Sequence, residues 1–145
     1  MRSIPSCFLV GRTMISAILE DRIEETGLGA VDALVIRAIH LNRALSASEI
    51  RETLALRPSS VTRVVDRLTE LGLAERAGDF EDRRLVIVRP TGPGMTVADM
   101  VDNAVRELER EIAEHAGAAI DGVDAVVNAI ELIGQRDERL RRRRW

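Results

Sequence analysis

With 145 residues, 46% of them hydrophobic and 31% charged, the chain is the size of one ordinary domain and can bury a real core. That balance excludes an unfolded polyelectrolyte, and the longest apolar run, around Leu85 to Val88, is too short to span a bilayer. A net charge of −3 and a pI near 5.5 weigh against nucleic acid only if the charges are spread evenly. They are not: all 21 basic residues are arginines, gathered in the middle and at the extreme end, while acids crowd the stretch from Asp99 to Asp124.

Near the start, Pro5, Gly11 and Arg12 interrupt any secretory segment, and a cytoplasmic protein is expected. From Phe8 to Ile23 the stripe Phe8, Gly11, Ile15, Ile18, Leu19, Arg22 and Ile23 predicts a helix with an apolar seam, ended by Gly27 and Gly29. A second helix, apolar nearly all round, runs through Val31, Leu34, Val35, Ala38, Ile39 and Leu41. Ser46-Ala47-Ser48-Glu49 has the spacing of a capping box and opens a short helix with Ile50 and Leu54 inward. Ala55-Leu56-Arg57 is a tight turn, and Pro58 suits the first position of the next helix. There Val61, Val64, Val65, Leu68 and Leu71 fall at core spacing, leaving Ser59, Ser60, Thr62, Arg63, Asp66, Arg67 and Glu70 outside, with Gly72 as the stop.

Leu73 to Ala77 and Leu85 to Arg89 are two strand candidates around a charged tip, Gly78 to Arg84, and so predict a hairpin. Thr91-Gly92-Pro93-Gly94 is expected to break the chain before a long helix with the seam Val97, Val101, Ala104, Val105, Leu108 and Ile112. After a break at Gly117 to Gly122, Asp121 is expected to cap a last helix carrying Val123, Val126, Val127, Ile130 and Ile133. Arg139 to Trp145 is a basic tail. The fold class is mainly α with a small β-wing, in one domain over 1–145. Residues 45–94 are expected to form a winged helix-turn-helix lobe, with 1–44 and 95–138 expected to supply mainly dimerisation helices.

A capped short helix, a tight turn and a second helix presenting small polar and arginine side chains can place that second helix in a DNA major groove. The arginine-bearing hairpin that follows suits the negative potential of a minor groove. Here the residues resemble the MarR (multiple antibiotic resistance regulator) family. The run Leu54 to Leu68 with Leu71-Gly72-Leu73-Ala74-Glu75-Arg76 is similar to its recognition-helix region, and Asp79-Phe80-Glu81-Asp82-Arg83-Arg84 with Val88, Thr91 and Gly94 to its wing. The resemblance implies a homodimer on a pseudo-palindromic double-stranded operator, repressing until a small aromatic or anionic ligand relieves it. It also implies major-groove contact by Ser59, Ser60, Thr62, Arg63 and Arg67, and minor-groove contact by Arg84 oriented by Asp82, with Arg83 beside it. Two positions depart from the family pattern. Arg57 stands where a serine-type cap is usual, so that helix start is poorly satisfied or Arg57 meets phosphate. Pro90 replaces a leucine at the strand end, cannot donate a ladder bond, and is expected to shorten the wing.

Other readings remain open at this level. The protein could be a winged-helix module for protein assembly, supported by its acidic pI. It could be a redox sensor through its one cysteine, Cys7, although the tyrosines that hold the thiolate in one branch of the family are absent. It could be a metal sensor through Glu111 and His115 with His40 as a distant third ligand, although two histidines are a thin set. Arg12, Arg37 and His40 are weak candidates to grip an anion between the dimerising helices and the lobe. No metal, cofactor or membrane partner is expected. No phosphate loop, nucleophile elbow or paired His/Asp constellation supports an enzyme. At 2% aromatic, with no tyrosine, there is no stacking platform for single strands.

Overall fold

The computed structural model describes residues 3–78 and 85–136. Helix α1 spans Ile4–Arg22, starting earlier than the apolar stripe suggests. Ser3 caps it, accepting from the Ser6 amide, and Pro5 sits in its first turn. It stops at Arg22 rather than at the glycines; a 3₁₀ turn, Glu24–Thr26, intervenes and Gly27 closes that turn at φ 68°. Helix α2, Ala30–Leu41, begins at Gly29, which has no side chain to cap it. Glu20 of α1 does the capping instead, its Oε1 accepting from the Ala30 amide at 2.9 Å. Ala33, Val35, Ile36 and Ile39 of α2 are fully buried, so this helix is the spine of the core.

Strand β1, Leu45–Ser46, leads directly into α3, Ala47–Leu54. The capping box is present: Ser46 Oγ accepts from the Glu49 amide at 3.2 Å, and Glu49 Oε2 accepts from the Ser46 amide at 2.7 Å. Ala55 ends α3 at φ 50°, a left-handed conformation that costs a residue with a Cβ about 1 kcal/mol. Helix α4, Pro58–Glu70, buries Val61, Val64, Val65 and Leu68. Leu71, expected inward, is half exposed, because the helix ends there and Gly72 turns the chain away at φ 71°.

Strands β2, Ala74–Gly78, and β3, Val86–Pro90, pair antiparallel, and β1 adds to the far side of β3 to give the order β1-β3-β2. The register sets Leu45 opposite Val88 and Ala74 opposite Pro90. Pro90 therefore ends β3 while still paired in register, and does not shorten it.

Helix α5 is Gly92–Ala116. The predicted break at Gly92-Pro93-Gly94 is instead its first turn, capped by Thr91, whose Oγ1 accepts from the Gly94 amide at 3.1 Å. Gly94 is buried against the Leu73 carbonyl; a Cβ there would lie 1.7 Å from that oxygen. Ala98, Val101, Ala104 and Leu108 carry the buried seam of α5, with Val97 and Val105 only partly buried. A 3₁₀ segment, Gly117–Gly122, runs straight into α6, Val123–Arg136, so Asp121 lies inside that segment rather than capping α6.

One buried cluster joins Leu19 and Ile23 of α1 to the lobe and to α5. The outer parts of the molecule are different. Ile4, Phe8, Met14 and Ile15 on α1 and Val123, Val126, Val127, Ile130 and Ile133 on α6 are all exposed. Among the described residues, no helix is long and apolar enough to cross a membrane.

Candidate nucleic-acid interface

Helix α4 is strongly two-sided because its valines and Leu68 recur every three to four residues. Burying them fixes which side chains face out. Ser59, Thr62, Arg63, Asp66, Arg67 and Glu70 are exposed and Ser60 is partly so. Arg57 is the N-cap residue, extended at φ −75° and ψ 150°, and its side chain makes no capping bond. Its carbonyl accepts from the Ser60 and Val61 amides, while its exposed guanidinium stands at the positive end of the helix.

The outward residues are not equivalent. Thr62 donates its hydroxyl to the Pro58 carbonyl at 3.2 Å, leaving only its oxygen lone pairs for another partner. Asp66 is taken by Arg76 of β2, which ties the helix to the sheet. Arg67 turns sideways: its Nε lies 2.9 Å from Asp32 Oδ2 on α2. Arg63 and Arg67 therefore share a sequence spacing but not a role. Among the described residues Arg63 has no ion-pair or hydrogen-bond partner. The Asp32 contact had no signal in the sequence, since its partner lies on another helix.

Two hollows flank α4. One, of about 690 Å³, runs between its outer face and the start of α2, lined by Glu20, Asp32, Ser59, Arg63, Arg67 and Glu70 among others. The other, of about 480 Å³, lies between α3, α4 and the sheet, with Pro58, Val61, Val65, Val86 and Val88 making an apolar floor. The predicted wing-tip residues Asp82, Arg83 and Arg84 fall outside the described residues, as does the tail from Arg139 to Trp145.

Of the remaining candidates, Arg37, His40, Glu111 and His115 are engaged elsewhere. Arg37 Nε bonds Asp102 Oδ1 at 2.8 Å and His40 Nε2 lies 3.0 Å from Asp99 Oδ1, so both tie α2 to α5. Burial raises the Asp102 pKa, but hydrogen bonds from Arg106 and Arg37 and their charges outweigh it and hold the carboxyl below its usual range. The hydrogen bond from Arg22 likewise lowers Glu111, and the His115 ring bonds the Glu111 backbone carbonyl, so this pair is not arranged as a metal site. Among the described residues no three His, Cys, Asp or Glu side chains converge. Cys7 is exposed, in a shallow apolar groove with Ile4, Phe8, Val123 and Val126.

A helix-turn-helix with a three-stranded wing sheet, set between exposed terminal helices, is thus in place. A family model described as MarR family matches residues 26–85. The central lobe is thus similar to the MarR family. The HTH-type transcriptional repressor MdtR of Bacillus subtilis is 30% identical over 74 residues, which are 51% of this chain and 48% of that protein; the chain thus matches about half the length of that curated relative. Solved structures extend the likeness of fold beyond residues 26–85. A mutant MarR from E. coli complexed with operator DNA gives a TM-score of 0.71 at 21% identity, over 88% of this chain and 94% of that one. BpsR of Bordetella bronchiseptica, described with regulation of its DNA binding by 6-hydroxynicotinic acid, gives 0.73 at 20% identity, over 94% and 96%.

Proposed function

We propose that the protein is a sequence-specific double-stranded DNA-binding transcriptional regulator, not an enzyme, acting in the cytoplasm as a homodimeric repressor of a pseudo-palindromic operator. The observation that carries this reading is Arg63. It is unpaired among the described residues, on the outermost face of a helix whose other face is locked into the core. A guanidinium so placed can donate two hydrogen bonds to the O6 and N7 of guanine. Ser59, Ser60 and Thr62 stand beside it for base edges or phosphates. Arg57 and the open amides of the α4 N-terminus suit a phosphate oxygen. Arg67 serves the rim of the same surface. On the wing, Arg83 and Arg84 enter the minor groove with Asp82 orienting Arg84.

The apolar faces of α1 and α6 support the dimer, since exposed patches of that kind are normally covered. Two such lobes read two half-sites about one helical turn apart. A small aromatic or anionic ligand, bound between the dimerising helices and the lobe, relieves repression by changing the spacing of the two α4 helices. The MarR–operator complex and the ligand-regulated BpsR support these roles by analogy. A gel shift with duplex from upstream of the protein's own gene tests the proposal. A shift that survives excess random duplex is expected. Equal binding to both duplexes, or to neither, contradicts it and favours a protein-assembly module.

A further inference from the structure

The charge pattern around α4 is unusual for a surface that meets a polyanion. Its first turn and a half, with Arg57, Ser59, Ser60, Thr62 and Arg63, carries no acid, whereas Asp66, Arg67 and Glu70 follow directly. Across the 690 Å³ hollow stand Glu20 and Asp32. Glu20 is committed to capping α2, but Asp32 is committed to Arg67. The Asp32 side chain is only 17% exposed whereas that of Arg67 is 53% exposed, so the carboxylate is the fixed partner and the arginine the one that is held. Asp32 also lies in the first turn of α2, where a negative charge is stabilised by the helix dipole.

We propose that Asp32 is a positioning residue that restrains and neutralises Arg67, restricting free positive charge on α4 to the Arg57–Arg63 end. This rests on the DNA-binding reading above and deepens it. A neutralised Arg67 contributes little to sequence-independent phosphate attraction, which lowers affinity for random duplex more than affinity for the operator. Asp32 thereby raises discrimination at the expense of total affinity. It does so without touching DNA.

The test is a set of four proteins, wild type, Asp32→Asn, Arg67→Ala and the double variant, each titrated on operator and random duplex across a salt series. Asparagine keeps the shape of the side chain and an acceptor oxygen, and a matched thermal midpoint for each protein confirms that it is folded. Asp32→Asn should bind random duplex several-fold more tightly and narrow the operator-to-random ratio. Its log-log salt slope should steepen by about one unit per lobe as the freed guanidinium takes a phosphate. Arg67→Ala should cost more in the Asp32→Asn background than in wild type, a coupling that a purely structural role for Asp32 would not produce. Unchanged affinity and slope in Asp32→Asn, or an equal cost of Arg67→Ala in both backgrounds, overturns the inference while leaving the DNA-binding reading intact. Failure of wild type to prefer the operator overturns both.

Discussion

Replacing Gly94 by alanine should loosen the joint between wing and α5. The added Cβ would stand 1.7 Å from the Leu73 carbonyl oxygen and 2.8 Å from its carbon, where real Cβ atoms stay beyond 3.0 Å. Both sides of this contact are backbone, so no side chain can swing away, and the main chain must move by more than an ångström. That movement strains the Thr91 amide bond to the Leu73 carbonyl at 3.0 Å and the Thr91 hydroxyl bond to the Gly72 carbonyl at 2.6 Å, which together hold the end of α4 to the start of α5. Overpacking costs about 1–3 kcal/mol and a buried carbonyl that loses its donor about 1–3 kcal/mol, so a loss of about 2–6 kcal/mol is expected. At about 2–4 °C per kcal/mol for a chain of this size, the midpoint should fall by about 4–24 °C. Thermal unfolding at one fixed protein concentration measures it, with Gly92→Ala as control, because a Cβ there meets nothing within 4 Å. Equal midpoints for the two variants would refute the close-approach reasoning.

Two further outcomes concern stability and assembly. Because its folded pKa is lowered, Asp102 stabilises the fold while ionised, a contribution present above about pH 4 and lost as pH falls through the depressed value. Asp102→Asn should therefore cost about 1–3 kcal/mol at pH 7, and the gap from wild type should narrow only as pH falls below about 4 and through the depressed value; a gap constant with pH contradicts the ion-pair account. The wild-type protein should sediment as a dimer at micromolar concentration and Ile130→Asp as a monomer with its helical signal retained, whereas a stable folded wild-type monomer would contradict an interface on α6.

The lobe was legible because its signals are local. Ser46 with Glu49, Pro58 at the helix start and Gly72 at its end are each read within a few residues, and the α4 valines repeat at helical spacing. The misread parts depend on partners distant in the chain. Gly92-Pro93-Gly94 has the composition of a breaker, yet forms the first turn of α5 because the Leu73 carbonyl requires a residue without a Cβ. Strand β1 is two residues long, too short for any periodicity, and exists only because β3 offers an edge at Val88. The same holds at the site. The residues facing out of α4 were legible, but not that Asp32 holds Arg67 aside while Arg63 stays without a partner among the described residues.

The central claim, that α4 reads base sequence through Arg63, is tested most directly by one affinity measurement: Arg63→Ala and Arg84→Ala beside wild type, on operator and random duplex, across a salt series. Arg63→Ala should cost about 1–3 kcal/mol on the operator and much less on random duplex, flattening base preference at one position in each half-site. Arg84→Ala should weaken binding to both duplexes and reduce the log-log salt slope by about one unit per contact, about two per dimer. If neither substitution changes affinity at any salt, α4 and the wing are not the DNA-reading surface, and the lobe serves protein assembly instead.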